Sequence, residues 1–473
     1  MMLNIVFKSV FFRGAMSGCA VFMLPAILLA ATPQWGSFLT PFAADSLWNA
    51  RPIQPVLGID VIPKSSYFPA VSAGAFSTGV FLSQITDGPG VVRGLPGKQG
   101  VWDPDTETFK PQITIAHWPA SVAAATGSDG HADIVDSASG IIHSFWQLKQ
   151  ENGGWTAAQY AWTRLNGRGW GDPAHYFQGA RAAAVPTSAG LVRKHEIDDG
   201  QPIYRHALAM SLTFNGLSPT STYIFPATSA DTNAATTNTG SIPMGALLML
   251  PPDYNTAQIA NPALRKIAET LKVYGAYVVD RNHGTPFAIY VENGSNFNLH
   301  AGGWNNAVAT ELDRIRLNLR QVVSENGWVD GNGQSFVPTK ALNLLSMRGP
   351  WQGLKGPASG VFDTWAQALV FPKTERPVVQ TNTTSRGLNA VLWAKPKAGG
   401  IYRVSVKATG GALLRIQLRN KAGAWLYDSG QLQNGQHTQL TWPADDARVM
   451  LEATSGVGEA SSVSAELIMD ASK

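Results

Sequence analysis

The chain predicts a mainly β fold: a large antiparallel, jelly-roll-like β-sandwich with two helical insertions, followed by a small C-terminal β-sandwich. Three observations predict it. Charged residues make up only 14% of the 473 residues, against about 25% in an average soluble domain, while Gly reaches 47, Pro 29 and Trp 15. Short apolar runs recur between turn signals through most of the chain, most regularly after residue 388. Only two segments, near 262 and near 306, carry apolar residues at helical spacing.

In chain order, residues 1–31 read as a secretory signal, with Lys8 and Arg13 in the n-region, an apolar run Met16–Leu29 and small residues Ala30-Ala31 for cleavage. Cys19, the only cysteine, falls inside it, so the mature chain is expected to hold no disulfide, and the protein is expected to be secreted or periplasmic with no stable membrane insertion after signal removal. Residues 32–60 read as an extended arm carrying Trp48. Short strands are expected at Gly79–Ile85 and Gln112–His117. GSDGHADIVDSASGIIHSFWQLKQ reads as a hairpin of Ala132–Val135 and Ile141–Lys149, and Trp155–Leu165 as a further strand.

In LVRKHEIDDGQPIYRHALAMSLTF a short helix stopped by Gly200 gives way to a strand that places His206 in an apolar row. Residues 215–243, rich in Ser, Thr and Asn, read as a surface excursion. Asn261-Pro262 opens the first helix; VYGAYVVD and PFAIYVEN read as a strand pair around Asn282-His283-Gly284; and a second helix is expected over Asn306–Val323. Residues 32–372 would form the main, catalytic domain, 373–387 a linker, and 388–473 a carbohydrate-binding-like sandwich with strands at AVLWA, IYRVSVKA, LLRIQLRN, WLYDSG, TQLTW, RVMLEAT and SAELIM.

The formal charge of +4 drops to +2 without Lys8 and Arg13 (34 basic against 32 acidic residues), and no basic stripe suits nucleic acid. No phosphate loop, dinucleotide fingerprint or G-x-S-x-G elbow is present, which argues against nucleotide cofactors and serine hydrolysis. Asp129, His131, His143 and His206 are of metal-ligand type but fall in no zinc spacing; zinc is not expected, and a structural calcium ion is the one metal the carboxylates leave room for.

The remaining chemistry is that of carboxylates, imidazoles and aromatic rings. Asp129 and His131 flank Gly130 and can converge on one proton. Trp146 and Gln147, with His143 on the neighbouring position, suit a sugar ring stacked on indole with hydroxyls read by an amide. Glu196 and His206 form the best acid/base pair by residue type, and Asp280 ends a strand beside a turn. Glycoside cleavage needs two carboxyl groups, one with a raised pKa; elimination needs a base and a group to hold a carboxylate, and the residue types leave both open. The expected catalytic set is therefore Glu196, His206, Asp129, His131 and Asp280, in one cleft. His143, Trp146, Gln147, Trp170, Tyr176, Arg193 and Tyr274 are expected to bind a polysaccharide or oligosaccharide. The expected function is a secreted polysaccharide-degrading enzyme, a glycoside hydrolase or polysaccharide lyase, with a non-catalytic lectin-like or envelope glycan-binding protein as the alternative.

PFAADSLWN at 41–49, SDGH at 128–131, FWQ at 145–147, LVRKHEIDDGQPIYRHAL at 191–208 and YGAYVVD at 274–280 together resemble motifs of a group of secreted bacterial proteins. The resemblance implies that residues from about 40 to 295 form one module; it carries no reaction. HEIDDG also resembles the E-x-D-x-x-E strand of laminarinase-like β-jelly-roll glycosidases, but Gly200 follows Asp199 where that pattern continues towards a second Glu, so none of that family's residues is carried across.

Overall fold

The computed structural model describes residues 33–171, 175, 177–340, 342–355, 359–382 and 385–469. The expected signal segment and Tyr176 lie outside the described residues. The chain is mainly β, as its composition predicts, with mixed as well as antiparallel sheets.

Three cores organise it. In the first, a seven-stranded mixed sheet packs with the helices Pro262–Val273 and Asn306–Asn318 and with the N-terminal arm, whose Phe42 and Trp48 are buried. Asn261 caps the first helix by accepting from Leu264 N at 3.0 Å, and Asn305 caps the second. The second helix stops at Asn318: Leu319 turns extended and Arg320–Ser324 forms a strand, because Leu319 and Val322 fit either period. The second core lies between a six-stranded and a four-stranded sheet and contains Ile134, Phe145, Tyr160 and Trp162. The expected hairpin is here, with Ala132–Asp136 antiparallel to Ile141–Trp146.

The expected strand pair Ala276–Asn282 and Phe287–Tyr290 does not pair with itself. Strand Leu208–Thr213 lies between them, parallel to the first and antiparallel to the second. All six residues of that middle strand are buried, so it has no solvent face. It begins at Leu208, so His206 precedes it, and the expected helix before it is a single turn, Lys194–Glu196.

The third core is a sandwich of two five-stranded antiparallel sheets. Six of the seven expected C-terminal strands are present; AVLWA is instead a turn, Leu392–Ala394, whose Trp393 indole donates to Ala227 O at 2.7 Å. The expected linker is corrected. Within residues 373–387, Val379–Asn382 forms an interior strand between Trp351–Gly353 and Arg448–Thr454. Composition hid this because its partner Arg448–Thr454 lies some seventy residues away. The sandwich is also fastened to the six-stranded sheet. Thr364 donates to Asp105 at 2.6 Å, and Trp365 stacks on Trp162 with ring centroids 4.5 Å apart.

Candidate functional site

Two clusters of ionisable side chains sit at opposite ends of strand Leu208–Thr213. Register settles their separation. Leu208 lies opposite Ala276 and Ser211 opposite Asp280, so Asp280 is level with a residue five positions beyond His206, about 16 Å of extended chain. The single cleft expected to join Glu196, His206 and Asp280 is therefore corrected to two separate sites.

At the far end, Asp280 Oδ2 pairs with Arg181 Nη1 at 3.2 Å. Arg181 is 2% exposed, donates also to Phe76 O at 3.2 Å, and lies with its guanidinium 3.8 Å from the centre of the Tyr290 ring. The loop carrying Arg181 is tightly built. Ala183 N donates to Val279 O, and Thr187 Oγ1 and Ser188 N donate to the buried Asp133, tying the loop to both sheets. Gly179 passes so close to the Val185–Pro186 backbone that a Cβ there would lie 1.9 Å from Pro186 N.

Asp129, in the SDGH turn, acts on Asp280 through its charge. Gly130 has φ +46°, and Trp146 Nε1 donates to Asp129 Oδ1 at 3.3 Å. Asp231 comes from the 215–243 excursion, pinned by Arg281, which lies 3.6 Å from Asp231 Oδ1 and donates to Asn233 Oδ1 at 2.9 Å.

Burial pushes the Asp280 carboxyl up to about 6; Arg181 opposes the shift, and the negative charges of Asp231 and Asp129 add to it. Burial likewise raises Asp231, against Arg281, and Asp129 raises it further. Burial and the neighbouring Arg181 charge drive His131 well below the usual imidazole range, leaving a neutral ring whose Nδ1 lies 3.3 Å from Phe145 O. A carboxyl pushed up to about 6 suits a group that gives a proton near neutral pH.

At the other end, His206 Nε2 and Glu196 Oε2 are 3.1 Å apart. Burial alone would raise Glu196, but the charge and hydrogen bond of His206 hold it below its usual value; burial would lower His206, and Glu196 overcomes this to raise it. Both members are thus held charged and matched. Glu196 Oε2 also accepts from Arg193 N at 2.9 Å, and Lys266 donates to Glu196 O and Asp199. This end is a closed ion-pair network that ties the Lys194–Glu196 turn to the start of the strand.

Four expected binding residues are corrected. Trp170 is core, stacked on Trp48 at 5.0 Å and edge-on to Tyr277. His143 is buried with Nδ1 2.9 Å from Tyr160 Oη, and burial lowers it to about 4. Arg193 is buried and committed to Glu292 at 2.9 Å and to Phe38 O. Tyr274 caps a helix, donating from its backbone to Thr270 O, at the end of its strand remote from Asp280. Trp146 and Gln147 are half-buried beside Asp129, with Gln147 N donating to Asp129 O at 2.7 Å. Sequence reasoning missed Arg181, Asp231 and Tyr290. A lone Arg in the apolar run GARAAAVP was the available signal for a buried ion pair; Asp231 carried none.

No family model and no curated protein matches the chain. Solved structures resemble parts of it. They include accessory secretory protein 1,2 and 3 of Streptococcus pneumoniae (11% identity, 28% of this chain and 99% of that one, TM-score 0.20). TmCBM61 in complex with β-1,4-galactotriose is similar at 13% identity over 26% of this chain and 89% of that one, TM-score 0.18. A CBM4 structure is similar at 16% identity over 26% and 94%, TM-score 0.16. At such scores the likeness carries no argument about this chain. Among the described residues no helix is long and apolar enough to cross a membrane, and no group of three or more His, Cys, Asp or Glu could hold a metal ion.

Proposed function

We propose that this chain is a secreted or periplasmic carbohydrate-active enzyme that cleaves a polysaccharide or oligosaccharide, with Asp280 as its proton donor. One observation carries the reading: the half-buried Asp280 pairs with Arg181 at 3.2 Å, and desolvation together with the charges of Asp231 and Asp129 pushes its carboxyl up to about 6. Strongly perturbed carboxyls cluster at acid/base sites. Trp146, hydrogen-bonded to Asp129, supplies an indole face for a sugar ring. The Glu196–His206 pair serves the fold.

The test is a survey of purified glycans with the full chain and with Asp280→Asn, reading new reducing ends and unsaturated products. Turnover by the wild type that is lost in Asp280→Asn is the expected result. Undiminished turnover by the variant, or none by the wild type on any glycan, would remove the assignment.

A non-catalytic reading has one observation in its favour. The outward face of a C-terminal sheet sets Arg415, Gln417, Asp428 and Glu452 beside the exposed Trp425, over which Arg419 stacks at 3.5 Å. Polymer binding that Trp425→Ala abolishes, without turnover, would support it.

A further inference from the structure

An open groove of about 520 Å³ lies where strand Ala70–Ser72 ends and strand Gly79–Leu82 begins. That volume falls in the range of about 300–1,000 Å³ usual for small-ligand sites. Ala123, Ala124 and Ala125 give it a lining of methyl groups, and Phe81 gives it a ring. A Cβ on Gly79 would lie 2.6 Å from Phe81 Cζ, so a glycine is needed there for the ring to settle. Among the described residues no carboxylate lines the groove. The two loops that build it also serve the Asp280 site. Phe76 O, between Gly74 and Gly79, accepts from Arg181 at 3.2 Å; Gly127 N donates to Ala75 O at 2.9 Å; and Ala123–Thr126 runs on to Asp129.

Two polar side chains of the lining, Lys194 and Asn293, are open to an anion. Lys194 lies across Gly294, where a Cβ would be 3.3 Å from its Nζ. Its side chain is 46% exposed, and the Nζ stands 3.6 Å from Glu292 Oε1, beyond hydrogen-bond reach. Glu292 is already met by Arg193 Nε at 2.9 Å and by Lys194 N at 3.0 Å. The acids on the turn after Lys194 are engaged elsewhere: Glu196 with His206, Asp199 with Lys266, and Asp198 with Asn296 at 3.0 Å. Asn293 Oδ1 accepts from Gly74 N at 2.7 Å. That bond fixes the amide and leaves its Nδ2 hydrogens without an acceptor among the described residues.

An ammonium and an amide NH2 beside an apolar lining match the two oxygens of a carboxylate carried on a ring. Resting on the reading of this chain as carbohydrate-active, we propose that the groove binds a uronate residue, with its carboxylate on Lys194 Nζ and Asn293 Nδ2. The glycan it takes is then an acidic polysaccharide. An acidic peptide would offer the same carboxylate, but it would lay main-chain amides against alanine methyls, where they find no partner. A pyranose ring has an apolar face for those methyls and keeps its hydroxyls towards the open side.

Ligand-observed NMR at pH 7 tests this on the full chain, with the methyl glycosides of glucuronic and galacturonic acid, each beside its carboxyl methyl ester, and with acetylated triglutamate. At least one free acid should bind about tenfold more tightly than its ester, the weight of one charge-assisted hydrogen bond. Added salt should weaken the acid and leave the ester unchanged. Lys194→Met should erase the difference; Arg193 still holds Glu292, so this variant should fold. Ala123→Phe, at an exposed position of the lining, should weaken acid and ester alike by filling the groove. Esters that bind as tightly as the acids, an acid preference that survives Lys194→Met, or no binding by either acid overturns the inference. Triglutamate that binds as tightly as the acids also overturns it, in favour of a protein partner. These readouts are of binding, so the Asp280 reading stands or falls separately, on turnover.

Discussion

The two ends of strand Leu208–Thr213 each hold an acid beside a basic group, and they have opposite electrostatic outcomes. At the His206 end, partner charges beat burial: the acid is held down, the base is held up, and both stay ionised in a closed pair. At the Asp280 end, burial and two neighbouring carboxylates beat Arg181, so the acid keeps a proton to about 6. A well-matched ion pair has little proton to give at working pH; a poorly matched one stores it. The residue types at the first end are those usually sought for acid/base work, yet it is the carboxyl at the second end that is pushed towards neutral pH.

The sharpest way to break this comparison is Asp280→Asn, which should lower turnover about a thousandfold, within the range for loss of a proton donor, while circular dichroism stays unchanged. Wild-type turnover should also fall as pH rises through about 6, since the donor must be protonated; a rate flat across that range would count against Asp280. In stability the same group acts in one direction. Its folded value lies above the usual 3.8, so its contribution is complete below 3.8 and is lost as pH rises through about 6.

Next in size is Arg181→Met. It leaves the half-buried Asp280 carboxyl without its counter-charge and empties the buried Arg181 position of its charge, and should cost about 3–5 kcal/mol at pH 7 in urea unfolding. An unchanged midpoint would mean that Arg181 does not hold Asp280.

Glu196→Gln probes the other end. It should cost about 1–3 kcal/mol of stability and leave turnover of the folded protein intact. Wild-type advantage over this variant should shrink as pH falls through the lowered value of Glu196, and again as pH rises through the raised value of His206. Loss of turnover with unchanged stability would reverse the roles assigned to the two ends. The smallest effect is expected from Trp146→Phe, which removes one hydrogen bond to Asp129 but keeps an aromatic face; KM should rise about fivefold with kcat little changed.

How far these features could be read beforehand follows from the range of the interactions that make them. The cap of the first long helix, the start of the second, the Ala132–Trp146 hairpin and most strands after Ile401 were legible, because each depends on residues within a few positions of one another. The Glu196–His206 contact was legible for the same reason, ten residues apart. Asp129 and Asp280 were legible only as turn-flanking acids, and Trp146 only as a ring. Trp170 misled because a Trp in a Gly-rich loop looks exposed until Trp48 and Tyr277 close over it.

By itself the sequence determined a mainly β chain, where its hairpins turn, where its helices start, and a composition without the phosphate loops or nucleophile elbows of other enzyme classes. Those features arise from backbone preferences and short-range periodicity, which any window of residues displays. Tertiary structure alone decided that Leu208–Thr213 separates two strands that look paired, that residues near 380 belong to a sheet, and that Arg181, from a loop 99 residues away, meets Asp280. Desolvation makes that last decision, since a carboxyl's acidity depends on how much water the folded chain removes from around it, and no local pattern records that.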